Sequence, residues 1–146
     1  MPLVLDNSVV SGWLLKGQAT PYTDAMARRL LDDRAVAPAL LRLEYTNVLR
    51  TACKRSRLTA QQAQEALADL AALPLDLDHE APDAGQLLAL ALRYDLSSYD
   101  AAYLDLAMRR QLPIATQDAA LAQAARIAGV GVAEPDIEDF QKDPVP

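Results

Sequence analysis

At 146 residues, with 51% hydrophobic and only 5% aromatic side chains, the chain is one domain with room for a real core, helix-rich rather than a β-sandwich. A single cysteine (Cys53) and a single histidine (His79) exclude an internal disulfide and argue against a zinc site. No apolar run approaches a membrane span and the N-terminus lacks the pattern of a signal peptide, so a soluble, cytoplasmic protein is expected; the net charge of −6 counts against a generally basic nucleic-acid binder and asks for a local basic patch or a second subunit.

In chain order, Leu3-Val4-Leu5 reads as a short buried parallel strand. Ser8 is placed to cap a helix from Val9 that carries Trp13, Leu14 and Leu15, and Gly17 and Pro21 mark a turn. Thr23 opens a second helix with Ala25, Met26, Leu30 and Leu31 in phase. Ala35-Val36-Ala37 is a second strand, stopped by Pro38. A long helix is expected from about Leu40 to Ser56, with Leu43, Asn47, Leu49 and Cys53 along its inner face. Thr59-Ala60-Gln61-Gln62 is a capping box for a helix ending near Leu73. After Pro74, Leu75-Asp76-Leu77 is a third strand.

Pro82 and Asp83 open a helix with Leu87, Leu88, Ala91 and Leu92 on one face. Ser97 or Ser98 caps the next, which runs to about Arg110. Pro113–Thr116 is a fourth strand, Asp118 caps a helix closed by Gly129, and Val130-Gly131-Val132 is a candidate fifth strand. Short apolar strands alternating with helices predict an α/β sandwich on a parallel sheet of four to five strands, residues 1–133, followed by an acidic, proline-containing tail, residues 134–146.

Four acids fall where these patterns change: Asp6 after the first strand, Glu44 about one turn into the long helix, Asp100 in the first turn of another, and Asp118 after the fourth strand. Each has an ordinary structural reading, such as an N-cap for Asp118 or a helix-dipole complement for Asp100. Taken together they point to one place, because ligands bind open α/β sheets beyond the carboxyl ends of the strands. Clustered carboxylates cannot all stay ionised without a cation, and hard oxygen donors suit Mg²⁺ or Mn²⁺ in chemistry on phosphates. Asp6 and Asp100 are the expected direct ligands, with Glu44 and Asp118 either completing the shell, directly or through water, or holding a second metal when substrate is present. Ser8 and Thr116 are candidates to orient carboxylates or waters, and Asn47, three residues past Glu44, can face the same edge.

Arg50, Lys54, Arg55 and Arg57 form the one marked basic cluster; they are either contacts for phosphates or an acidic partner, or the cationic end of a helix. Trp13 is assigned to the core or a dimer interface, Cys53 to a buried apolar role, and His79 and Asp105 to structural positions. A phospho-accepting signalling domain also uses acids at strand ends, but Val130–Ala133 lacks the lysine such a site needs after its last strand.

The segments Val4-Leu5-Asp6-Asn7-Ser8, Glu44-Tyr45-Thr46-Asn47-Val48-Leu49, Ser98-Tyr99-Asp100-Ala101-Ala102-Tyr103 and Ile114-Ala115-Thr116-Gln117-Asp118-Ala119-Ala120-Leu121 together resemble the PIN-domain family, and within it the VapC-type toxins of bacterial toxin–antitoxin pairs. The chain departs from the family's pattern at Lys16-Gly17, on the rim of the cleft. The resemblance covers nearly the whole chain. It implies a three-layer α/β/α sandwich and a Mg²⁺- or Mn²⁺-dependent endoribonuclease specific for single strands, working as a homodimer and held in check by a VapB-type antitoxin. A housekeeping RNA-processing or DNA-acting nuclease of the same fold is the alternative it leaves. The antitoxin is expected to lay an amphipathic segment over Trp13, Leu14, Leu15, Met26 and Leu30, with an Arg or Lys reaching the acids.

Overall fold

Leu3, Val4 and Leu5 are fully buried because they form β1 (Leu3–Leu5), an inner strand of a parallel sheet with helices on both faces. The computed structural model describes residues 1–15 and 17–135. Lys16 and the tail from residue 136 onward lie outside the described residues, so the expected tail is seen only at its start. Strands β2 (Ala35–Pro38), β3 (Leu75–Asp78) and β4 (Ile114–Ala115) complete a sheet ordered β3-β2-β1-β4. Val4 pairs with Val36 on one side and Ile114 on the other, every pairing parallel. The candidate fifth strand is reduced to one bridge between Ile114 and Val132.

Helices α1 (Asn7–Leu14), α2 (Pro21–Arg29), α3 (Leu40–Lys54) and α4 (Ala60–Ala72) pack on one another in one layer. In the other, α6 (Ser98–Arg110) lies against β1, β2 and β4, flanked by α5 (Ala84–Tyr94) and α7 (Ala119–Ile127). This is the three-layer sandwich expected. Among the described residues no helix is long and apolar enough to cross a membrane.

Several local expectations are corrected. Ser8 lies inside α1 and does not cap it; position 6 takes the N-cap, with no side-chain capping bond. Thr20 caps α2, with Thr23 as the reciprocal member of a capping box and Pro21 in the first turn. Gly12 permits the close approach of α1 and α2, since a Cβ there would lie 2.6 Å from the Thr23 methyl. Along α3 the buried residues are Leu41, Tyr45, Leu49 and Ala52, while Leu43 is 76% exposed, Asn47 is exposed and Cys53 is only half-buried. Leu31 also faces solvent. On α5 only Leu90 is buried, and Leu88 and Leu92 point outward. The predicted caps Thr59, Asp83, Ser97 and Asp118 all accept a hydrogen bond from the backbone N–H three residues on.

Candidate active site

With β1 between β2 and β4, the chain leaves β1 toward one layer and β4 toward the other. An open α/β sheet leaves its crevice at this point. Asp6 stands directly after β1, and its backbone N–H donates to Ala115 O of β4 at 3.0 Å. Its buried Oδ2 accepts from Ser8 Oγ at 2.8 Å and from Thr116 Oγ1 at 2.7 Å. Each hydroxyl also accepts a backbone N–H: Ser8 Oγ from Gln117 at 2.9 Å, Thr116 Oγ1 from Asp118 at 3.0 Å. Those N–H groups occupy the acceptor side of the hydroxyls and leave both protons directed at Asp6. Ser8 therefore works on the carboxylate, which explains why it does not cap the helix.

Glu44 lies half-buried near the start of α3, and its Oε1 accepts a 2.7 Å hydrogen bond from the fully buried Tyr103 hydroxyl of α6. Asp100 lies half-buried in the first turn of α6, which Ser97 starts by accepting its N–H at 3.1 Å. Asp118 is exposed and does cap α7, Oδ1 accepting from Leu121 N at 2.8 Å. A cap engages one carboxylate oxygen, so the structural reading of Asp118 does not exclude a second role.

The electrostatics tie the four acids together. Burial pushes the Asp6 carboxyl above the ordinary carboxylate value, against the hydrogen bonds of Thr116 and Ser8. Burial also raises Glu44, and the charges of Asp6 and Asp100 add to it while Tyr103 opposes. Asp100 is raised by burial, then by Asp6 and Asp118. Elsewhere Asp33, Asp76, Asp78, Glu80, Asp105 and Glu134 each have a cationic partner; among the described residues, none of these four acids has one.

No three Asp, Glu, His or Cys side chains among the described residues stand close enough to cage an ion as they are. Tyr103 holds Glu44, and the cap holds Asp118. The donor set still fits a hard divalent cation: carboxylate oxygens, with no sulfur, imidazole or competing cation among the described residues.

Of the remaining sequence candidates, Asn47 is exposed one turn beyond Glu44 and its side chain makes no hydrogen bond among the described residues. Arg50, Lys54, Arg55 and Arg57 are all exposed at the far end of α3 and the turn after it, away from the acids. The apolar groove expected for a partner segment is not formed by the residues named for it. Leu15, Met26 and Leu30 are buried, and Trp13 and Leu14 pack against the core, with Trp13 Nε1 donating to Thr23 O.

Two residues escaped the sequence reading. Tyr103 was detectable in part, since it lies three residues from Asp100 and so on the same face of its helix. Gln117 braces the crevice, donating from Nε2 to Ser8 O at 3.1 Å and accepting from Thr20 Oγ1 at 2.9 Å. Nothing in the sequence marks it except its place between Thr116 and Asp118.

Ribonuclease VapC1 of Mycobacterium tuberculosis, in the strains CDC 1551 / Oshkosh and ATCC 25618 / H37Rv, is 36% identical over 90 residues. That match takes in 60% of this chain and spans 65% of the length of those curated relatives. The crystal structure of PAE2754 from Pyrobaculum aerophilum superposes with a TM-score of 0.66 over 97% of this chain and 94% of that one; at 16% identity it speaks to the fold alone. The PIN domain sequence profile matches residues 3–127, from the first residue of β1 to the last of α7. The sheet, the crevice and all four acids lie inside that span, and the chain belongs to the PIN domain family.

Proposed function

We propose that this protein is a Mg²⁺- or Mn²⁺-dependent endoribonuclease that cuts single-stranded RNA as the toxin of a toxin–antitoxin pair. One observation carries the reading: Asp6, Glu44 and Asp100 share a field at the switch point of the sheet, all raised in pKa and none paired with a cation among the described residues. The likeness to a protein named Ribonuclease VapC1 supports RNA as the substrate and a VapB-type antitoxin as the partner.

Asp6 and Asp100 would hold the ion, with Glu44 and Asp118 reaching it directly or through water. When bound, such an ion supplies a water of lowered pKa and offsets phosphate charge in an in-line displacement. The chain's own part is to keep the donors oriented. Ser8 and Thr116 fix the Asp6 carboxylate, and Tyr103 fixes Glu44. An Arg or Lys of the antitoxin reaching the acids would inhibit by taking the cation's place.

A homodimer of a cytoplasmic protein belongs to the same reading, supported by the exposed Leu43, Leu88 and Leu92. So does a catalytic unit of residues 1–133 with the tail outside it. Incubating the purified protein with single-stranded RNA, with Mg²⁺ or with EDTA, tests the activity. Sequencing RNA ends after expression with and without the antitoxin identifies the target. RNA left intact at saturating Mg²⁺ and Mn²⁺ overturns the proposal, and light scattering that shows only monomer at high micromolar concentration removes the dimer.

A further inference from the structure

We infer that the groove running along α3 away from the acids is the track of the RNA strand, with Arg55 and Arg57 holding backbone phosphates a few nucleotides from the site of cleavage. The inference rests on the ribonuclease reading and names the rest of its substrate site. Glu44, Asn47, Thr51 and Arg55 are spaced three, four and four residues apart, so they form one stripe along the helix. Eleven residues at the helical rise place Arg55 about 16 Å from the Glu44 level. A groove of about 610 Å³ follows this stripe, lined by Asn47, Thr51, Arg55 and Arg57 and by Leu15, Gly17 and Gln18. The lining runs from Asn47, one turn beyond Glu44, to the cationic Arg55 and Arg57.

The cations are free to act. Arg29, Arg34, Arg109, Arg110 and Arg126 each pair with a carboxylate, whereas Arg55 and Arg57 are exposed and make no ion pair among the described residues. They are also held by backbone structure. Ser56 takes a left-handed conformation at φ 57°, its N–H donates to Cys53 O at 3.0 Å, and Arg57 N–H donates to Ala52 O at 2.9 Å. This pair of bonds is the Schellman closure of a helix, and it fixes the two arginines on either side of one residue. Arg50 and Lys54, from the same basic cluster, do not line the groove.

The lining chooses between occupants. Its exposed side chains are Gln18, Asn47, Arg55 and Arg57, while Leu15 is buried and Val48 and Leu58 are half-buried. An amphipathic protein helix needs exposed apolar anchors in its groove; a phosphate backbone needs cations and hydrogen-bond donors. A net-negative protein that binds RNA requires such a local track.

The test uses the full chain and a fluorescent single-stranded 20-mer. Binding is measured by anisotropy on the Asp6→Asn background, where no cleavage intervenes, and KM on the otherwise native chain. Arg55→Gln with Arg57→Gln is expected to weaken binding about 10-fold and to lower the slope of log affinity against log salt by about 1.4, or about 0.7 for each phosphate no longer neutralised. KM for the 20-mer rises in parallel, the deficit fades for a trinucleotide too short to span the groove, and Mg²⁺ affinity does not change. Arg42→Gln, outside the groove, should behave as the native chain. Unchanged RNA affinity and salt slope overturn the assignment, as does a loss confined to inhibition by the antitoxin, which would make the groove a protein-docking site. If the native chain binds RNA through these arginines yet never cuts it, the catalytic reading fails and the track stands.

Discussion

Asp6 and Asp78 close two strands of the same parallel sheet, and the chain treats their charges in opposite ways. Around Asp78 the acids are neutralised. Arg109 donates Nη2 to Asp78 at 2.8 Å, Nε to the buried Asp105 at 2.9 Å and Nη1 to Glu80 at 3.2 Å, and Arg110 stands 3.8 Å from Asp78. Burial pushes the Asp78 carboxyl up, but the Arg109 hydrogen bond and charge overcome it and hold it below the ordinary range. Around Asp6 burial wins, because the hydroxyls of Thr116 and Ser8 and the backbone N–H groups of Asn7 and Ser8 that oppose it carry no charge. One cluster ties β3 to α6. The other leaves charge uncompensated at the switch point, where a ligand can supply the missing cation. Low-dielectric acids without a counter-ion destabilise the fold, which makes this crevice the candidate functional site.

The largest test of this contrast is charge removal at each cluster. Asp6→Asn or Asp100→Asn is expected to cut RNA cleavage by about 1,000-fold or more, since several kcal/mol of metal-derived stabilisation of the transition state is lost. Thermal stability of the metal-free protein should hold or rise as repulsion is relieved. Wild-type cleavage by either variant at saturating Mg²⁺ would break the assignment. Next in size is Arg109→Met, which strands Asp105 and Asp78 in a buried setting. A loss of about 2–3 kcal/mol in urea unfolding is expected, below the roughly 3–5 kcal/mol for a fully buried pair because Arg109 is partly exposed. Cleavage per folded molecule should stay at the native level.

A finer version compares the two fully buried tyrosines of the core. Tyr103 donates to Glu44, whereas the Tyr45 hydroxyl has no hydrogen-bond partner among the described residues. Tyr103→Phe keeps the ring and frees the Glu44 carboxylate, so Mg²⁺ affinity by calorimetry should weaken about 10-fold with little change in folding. Tyr45→Phe removes an unsatisfied polar group and should be neutral or stabilising by about 1 kcal/mol, with metal affinity intact. Equal effects of both variants on metal binding would show that Tyr103 acts through general packing.

The sequence carried the acids and most elements because their signals are local. Apolar triplets mark β1 and β2, capping residues mark α4 to α7, and each acid sits at a break in pattern. Faces were harder to read. On α5 four apolar residues at helical spacing predicted a face, yet Leu90 turns inward, because α5 packs at the edge of α6 and not over the sheet. The inner face of α3 was set by Leu41, Tyr45 and Leu49, a stripe that Leu43 obscured. The Arg109 cluster joins residues up to 31 apart, and Tyr103 meets Glu44 across 59 residues. Pairings of that kind depend on which helices the sheet brings together.

The smallest effect is a difference in slope with pH, and its sign separates the two clusters. Asp6, Glu44 and Asp100 have folded-state values above their unfolded ones. The folded state therefore holds protons that the unfolded chain releases. Their stabilising contribution is complete below the unfolded carboxylate values of about 4 and is lost as pH rises through the raised folded values. Asp78 runs the other way: its value is lowered on folding, so its contribution is present above the unfolded value and lost as pH falls through the folded one. In EDTA, Asp6→Asn should thus flatten the loss of stability on raising pH, whereas Arg109→Met should weaken the loss on acidification. Mg²⁺ binds the ionised carboxylates, so it should stabilise more as pH rises, by about 2.7 kcal/mol once its concentration reaches 100 times Kd. Melting curves across that pH range, with EDTA and with Mg²⁺, read both slopes. A Mg²⁺ effect that is independent of pH, or that survives Asp6→Asn undiminished, would place the ion away from the switch point.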